Sequence, residues 1–269
     1  MLKNIIFVIC FFVLMAIWFR YFEWRSIFFP AKDLSYTPDT FDLEYEDIFL
    51  TTKDGLKIYA WFISANSNMR YTLLFSHGNG GNISHRISKI VMLNKLGLNI
   101  FIYDYRGYGK SEGRPSEAGI YLDAQAAYNY LTKEKGISPD NIIAYGESLG
   151  STVSIDLASK VKLKALILEG AFSRGKDMAG EIYPFLPSCF IHTKFDSLSK
   201  IKNMTIPKLF IHSSNDEIVP IQLSRKLFDA APDPKTFTTL GGGHNTSFID
   251  SQNKYIEGIS SFIDTFGDP

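Results

Sequence analysis

Apolar and polar positions along this chain follow two rhythms, and the change between them outlines a fold. Over residues 43–49 and 56–63, apolar side chains alternate with polar ones around Lys53-Asp54-Gly55. That pattern predicts an antiparallel hairpin closed by an Asp-Gly turn. Five short apolar runs follow, at 71–76, 98–103, 141–145, 163–168 and 209–212, each bounded by turn residues. Runs that are apolar on both faces suit parallel strands buried between two helical layers. Helical spacing fills the intervals, at 84–96, 116–135, 149–161 and 221–230, with a last segment at 253–266. Strand and helix in alternation predict the α/β class: a doubly wound, mostly parallel sheet with the hairpin at its edge. No internal repeat or low-complexity tract interrupts it.

Two stretches depart from this rhythm. Residues 4–19 carry no charge over sixteen positions between Lys3 and Arg20, and aromatics continue as Tyr21, Phe22, Trp24, Phe28 and Phe29. As a helix the run spans about 24 Å against a hydrocarbon core of about 30 Å, with Trp18, Tyr21 and Trp24 suited to the interface. A cleaved signal peptide shares the basic start and apolar centre, but no small-x-small site follows Phe19. The expected organisation is a single-pass anchor over 1–29, a linker over 30–42 and a catalytic domain over 43–269. Removal of residues 1–25 is expected to leave a soluble, active domain. One basic side chain before the run (Lys3) and three after it (Arg20, Arg25, Lys32) lean toward a cytoplasmic domain.

The second departure is 171–205, which holds Pro184, Pro187 and many bulky apolar residues. A small lid or a helix covering the sheet would each account for it. As a lid it would offer Phe172, Tyr183 and Phe185 to a substrate pocket.

With 269 residues, 45% of them hydrophobic, the chain can bury one large core. Its 28 basic and 28 acidic residues are spread along it, so no basic face invites nucleic acid. Cys10 and Cys189 cannot make a disulfide framework, and neither Cys-x-x-Cys nor a His/Cys cluster occurs. No metal or organic cofactor is expected.

Candidate chemistry centres on Gly146-Glu147-Ser148-Leu149-Gly150, at the junction of an apolar run and a helical stretch. A serine hydroxyl needs a base on one side and amide donors on the other, and a strand-to-helix turn can present it to both. The same spacing recurs in Gly109-Lys110-Ser111-Glu112-Gly113, but within a glycine-rich loop ahead of a helix. Context therefore favours Ser148 as nucleophile and a structural turn for Ser111.

In such a fold the base comes last in the chain and the acid between. His244 follows Gly241-Gly242-Gly243 in a loop before the final helix, and it is the candidate base. Asp216, just past the run 209–212, is the candidate acid, with Glu169 the main rival and Glu217 expected to point elsewhere. Asp104 is expected to steady loops through Arg106. His77 reads as a ring packed under a loop and His212 as a core or rim residue, with His85 and His192 at the surface. An oxyanion needs two backbone amides, and Leu149 at the helix start and Asn79 in His77-Gly78-Asn79-Gly80-Gly81-Asn82 are placed to supply them. That loop lacks the lysine of a phosphate-binding P-loop and the spacing of a dinucleotide fingerprint.

Five blocks in this order make the chain similar to the α/β-hydrolase family, and more narrowly to its membrane-anchored serine esterases. They are residues 77–82, 104–111, 146–150, 215–220 and 243–245, within a resemblance covering about 45–266. The departure is Ser151, where relatives often carry glycine or alanine. The resemblance implies hydrolysis of carboxyl esters or thioesters, with lysophospholipids, acyl-glycerols or palmitoylated cysteines as substrates and the bilayer as partner. A serine peptidase of the same fold and a non-catalytic membrane scaffold are the alternatives. Haloalkane and epoxide hydrolases would carry aspartate in place of Ser148.

Overall fold

The computed structural model describes residues 2–65, 69–187 and 190–267; Cys189 lies outside the described residues. In chain order the elements are α1 (Leu2–Ile27), β1 (Phe29–Pro30), β2 (Tyr45–Thr51), β3 (Lys57–Ile63), β4 (Tyr71–Ser76), β5 (Gly80–Gly81) and α2 (Ile87–Asn94). They continue through β6 (Leu98–Tyr103), α3 (Glu117–Asn129), β7 (Ile142–Glu147), α4 (Leu149–Ala158), β8 (Ala165–Glu169), α5 (Gly175–Ile182) and α6 (Ser197–Ile201). The last are β9 (Lys208–Ser213), α7 (Ile221–Ala230), β10 (Lys235–Leu240), α8 (Ser247–Asp250) and α9 (Gln252–Asp264).

Eight strands form one sheet in the order β10-β9-β8-β7-β4-β6-β3-β2. Every pairing from β10 to β6 is parallel, and β3 and β2 close the other edge antiparallel as a hairpin. The central strands separate two cores by alternation. Leu74, Phe101, Ala144, Leu168 and Phe210 face one core with Ala127 of α3, Val153 of α4 and Leu227 of α7. Leu73, Phe75, Ile100, Ile143, Ile167 and Leu209 face the other with Ile90 of α2 and Ile259 of α9. Both faces are therefore dry, which is why these strands read as unbroken apolar runs.

Strand β10 was not among the expected elements. Its sequence, Lys-Thr-Phe-Thr-Thr-Leu, is half exposed and, among the described residues, pairs only with β9, so it lacks the apolar run that marks an inner strand. The stretch 171–205 divides between the two readings offered for it. In α6, Leu198 and Ile201 pack into the core, whereas α5 and the loop after it stand over the sheet's C-terminal edge and line a cavity there.

Helix α1 is a single rod of 26 residues, long and apolar enough to cross a membrane. Between Ile5 and Trp18 its large apolar side chains other than Met15 are exposed, Phe7 by 73%. Its far end is not a free tether. Trp24 and Ile27 pack against the core, Phe28 is buried within it, and the Trp24 indole N–H donates to Pro115 O at 2.8 Å. Nor is the following stretch loose. Strand β1 pairs in parallel with β5, and the Asn82 side chain donates to the carbonyls of Ala31 (3.2 Å) and Asp33 (2.7 Å). Of these contacts, a cut after residue 25 would remove those of Trp24 and leave Ile27, Phe28 and β1 in place.

Candidate active site

Strand β7 runs straight into α4, and the turn between them is Ser148, with φ 52° and ψ −115°. A non-glycine residue held there costs about 1–3 kcal/mol, so the surroundings must enforce it. They do so by close approach. A β-carbon on Gly146 would lie 2.5 Å from Gly150 O, and one on Gly150 only 1.9 Å from Ser76 O. The Ser148 N–H donates to Glu169 O at 2.7 Å. Ser151, the departure from the family pattern, donates its hydroxyl to Gly146 O at 2.9 Å and approaches Glu169 O at 3.1 Å. It ties the turn to β8. The Leu149 N–H, first in α4, has no acceptor within its own helix.

The loops after β9 and β10 bring two further side chains to this edge. Asp216 Oδ2 stands 2.7 Å from His244 Nδ1, with side-chain exposures of 3% and 9%. Burial would raise the Asp216 carboxyl, but hydrogen bonds from His212 and His244, the His244 charge and the Val219 amide hold it far below the usual range. Burial alone would lower His244; the hydrogen bond and charge of Asp216 outweigh it, aided by the charges of Glu147 and Glu169, and the ring's pKa is raised. Asp216 Oδ1 accepts the N–H groups of Ile218 (3.0 Å) and Val219 (2.7 Å), which fixes the carboxylate plane.

His244 and Ser148 meet across Gly170. A β-carbon there would lie 3.1 Å from His244 Cε1 and 3.9 Å from Ser148 N. A side chain there would crowd the ring, and the backbone of Gly170, at φ 59°, itself favours glycine. The Ser148 hydroxyl makes no hydrogen bond among the described residues; such contacts commonly tighten when substrate binds.

The loop after β4 forms the opposite rim. A β-carbon on Gly78 would lie 3.7 Å from Ser148 Cβ, so the chain passes close to the serine one residue before Asn79, which lines the same cavity. Asn79 is fixed from both ends: its side-chain amide donates to Ile27 O at 3.0 Å, and its carbonyl accepts Phe29 N–H at 3.1 Å and Tyr108 O–H at 2.7 Å. Ser148, Leu149, Asn79 and His244 line one cavity of about 880 Å³ whose remaining walls are mainly apolar.

Two of the three proposed pocket residues, Phe172 and Tyr183, line this cavity; Phe185 does not. It follows Pro184 in a loop that turns its ring outward, 82% exposed, against the edge of Tyr183. Asp104 also differs from expectation. It accepts Ile83 N–H at 2.9 Å and lies 3.6 Å from His77 Nε2, while Arg106 pairs with Asp54 and Asp123. Burial lifts the Asp104 carboxyl to about 8 and, with the Arg86 charge, lowers His77 to about 3. Glu217 points not away but to the site, accepting His244 N–H at 2.9 Å. Ser111 is a structural turn residue, its hydroxyl accepting Tyr59 N–H at 2.8 Å and donating to Asp104 O at 3.0 Å.

Three groups here had no sequence signal. His212 Nε2 stands 3.3 Å from Asp216 Oδ2. Lys89, 2% exposed, reaches Glu169 at 2.7 Å and Glu147 at 3.5 Å, and Arg86 reaches Glu147 at 2.9 Å. Burial opposes the Glu147 charge, but Arg86 and Lys89 hold its carboxyl below the ordinary value. Glu169, once a rival for the acid, is thereby committed to Lys89 and the Tyr145 hydroxyl.

Comparison with known proteins agrees with this architecture. A family model described as serine aminopeptidase, S33 matches residues 67–194. Human α/β hydrolase domain-containing protein 17B is 34% identical over 220 residues, covering 81% of this chain and 75% of that protein. An uncharacterised protein of Mycobacterium tuberculosis is 32% identical over 254 residues, covering 93% and 90%. An esterase of Pyrococcus furiosus superposes with a TM-score of 0.73 at 21% identity, over 88% of this chain and 98% of that one. The chain belongs to the α/β-hydrolase family and has its fold.

Proposed function

We propose that this hydrolase is a membrane-anchored serine enzyme that cleaves carboxyl esters or thioesters of acyl substrates. The observation that carries the reading is the 2.7 Å His244–Asp216 contact beside a serine on a left-handed turn. In this scheme Ser148 Oγ attacks the acyl carbonyl while His244 takes its proton, and Asp216 keeps the ring oriented and stabilises the imidazolium. The oxyanion forms against the amides of Leu149 and Asn79. His244 then protonates the departing alcohol or thiol, leaving an acyl-serine ester. Water, deprotonated by the same ring, attacks that ester, and the proton returns to Ser148 as the acid leaves.

An acyl substrate is favoured by the walls of the cavity. An aminopeptidase must hold a free ammonium group, and the two carboxylates lining the cavity are otherwise engaged. Glu147 pairs with Arg86 and Lys89, and Glu23 accepts the amides of His192 and Thr193 at 2.9 and 2.7 Å. The anchor in this reading is α1, and Lys3 set against Arg20, Arg25 and Lys32 favours a cytoplasmic catalytic domain.

The test is hydrolysis of p-nitrophenyl acyl esters by the full chain. Ser148→Ala is expected to lower kcat/KM by at least about 10³-fold, with Ser111→Ala keeping most activity. Equal effects of the two substitutions would overturn the reading.

A further inference from the structure

Helix α1 does more than reach the membrane: its last third is a wall of the cavity. Phe19, Phe22, Ile27 and, just beyond, Phe29 line the same space as Ser148 and His244. The loop after α5 completes that wall, Phe190 stacking on Phe19 with ring centroids 5.0 Å apart and Tyr183 meeting Phe22 at 5.8 Å. Glu23 fastens the two pieces together through the amides of His192 and Thr193. At its inner end the wall is bonded to the oxyanion loop, since Ile27 O accepts the Asn79 side chain.

The outer end of this wall is continuous with the exposed apolar rod. Trp18, 57% exposed, and Tyr21, 55% exposed, sit beside Phe19 and Phe22, which face the cavity. Ile182 and Phe185 on the neighbouring loop are exposed by 50% and 82%. From Phe19 to Ile27 the helix rises about 12 Å. The cavity therefore begins where a membrane-spanning α1 would leave the bilayer and ends at the serine.

We propose that Phe19 to Ile27 of α1 form the acyl-chain wall of the site, along which the tail of a bilayer-resident long-chain ester passes from the membrane to Ser148. This rests on the serine-esterase reading above. It assigns Phe22, midway along the wall, to chain-length selection, and it makes the anchor part of the active site.

The experiment uses the full chain in phosphatidylcholine vesicles, with p-nitrophenyl butyrate and palmitate as substrates. Phe22→Trp, which fills the wall, is expected to lower the palmitate-to-butyrate ratio of kcat/KM by about tenfold or more. Phe7→Trp, on the exposed stretch of the same helix, leaves the ratio unchanged. Butyrate turnover retained with an unaltered ratio in Phe22→Trp would overturn the proposal.

A second measurement needs no variant. A long-chain alkyl fluorophosphonate carrying a mid-chain diazirine is bound to the wild-type protein, irradiated and mapped after trypsin digestion. Cross-links at residues 19–29, read from the peptides between Lys3 and Lys32, support the proposal. Attachment to Ser148 with cross-links only elsewhere overturns this inference alone, whereas no attachment to Ser148 overturns the esterase reading and this inference with it.

Discussion

Asp216 is held to His244 by one carboxylate oxygen and to the backbone of Ile218 and Val219 by the other. The pair is thus oriented before any substrate arrives. Asp216→Asn presents an amide in place of a charged acceptor, so it should favour the wrong tautomer and cut kcat/KM by about 10³–10⁴-fold. Steady-state hydrolysis of p-nitrophenyl butyrate checks this; a loss under tenfold would remove Asp216 from the proposed role.

The same contact sets the pH response. His244 must be neutral to accept a proton, and its pKa is raised above 6.5. Activity is therefore low where the ring is protonated and rises with pH, with the midpoint of kcat/KM above 6.5. Asp216→Asn should move the residual midpoint downward. A pH profile of wild type and variant reads both.

A separate pH effect on stability comes from Asp104. Its folded carboxyl is lifted from 3.8 to about 8, first by burial. The protonated form suits the fold, so this contribution is complete below pH 3.8 and is lost as pH rises through about 8. Urea denaturation across that window should show a decline in stability that Asp104→Asn flattens.

Beneath the serine, Lys89 joins two carboxylates with almost no access to water. Lys89→Met leaves Glu169 and Glu147 short of a partner and should destabilise the protein by about 3–5 kcal/mol. Denaturant midpoints measure it; a loss below about 1 kcal/mol would mean that Arg86 and solvent suffice for both carboxylates.

Much of this was legible in the sequence because local pattern and packing agree. Strands β4 and β6 and helix α7 fall at their expected boundaries, since their periodicity is the burial they adopt. The sharp turn at Ser148 was readable because the close approaches at Gly146 and Gly150 leave no room for a β-carbon. What was not legible depends on contacts between distant segments. Strand β10 is polar because it is an edge, Phe185 turns outward because its loop packs through Tyr183, and Asp104 meets His77 rather than Arg106. The largest revision concerns α1. Apolar composition marks a helix able to cross a membrane, but nothing in residues 19–29 alone says that they close a cavity whose other walls begin at Gly78.

The central claim, that Ser148 is the reactive hydroxyl, is tested most directly by labelling the full chain with a fluorophosphonate and mapping the adduct by mass spectrometry. The account predicts one adduct on Ser148, absent from Ser148→Ala, weakened in His244→Ala and retained in Ser111→Ala. Undiminished labelling of Ser148→Ala, or an adduct mapped to another residue of the wild type, would contradict it.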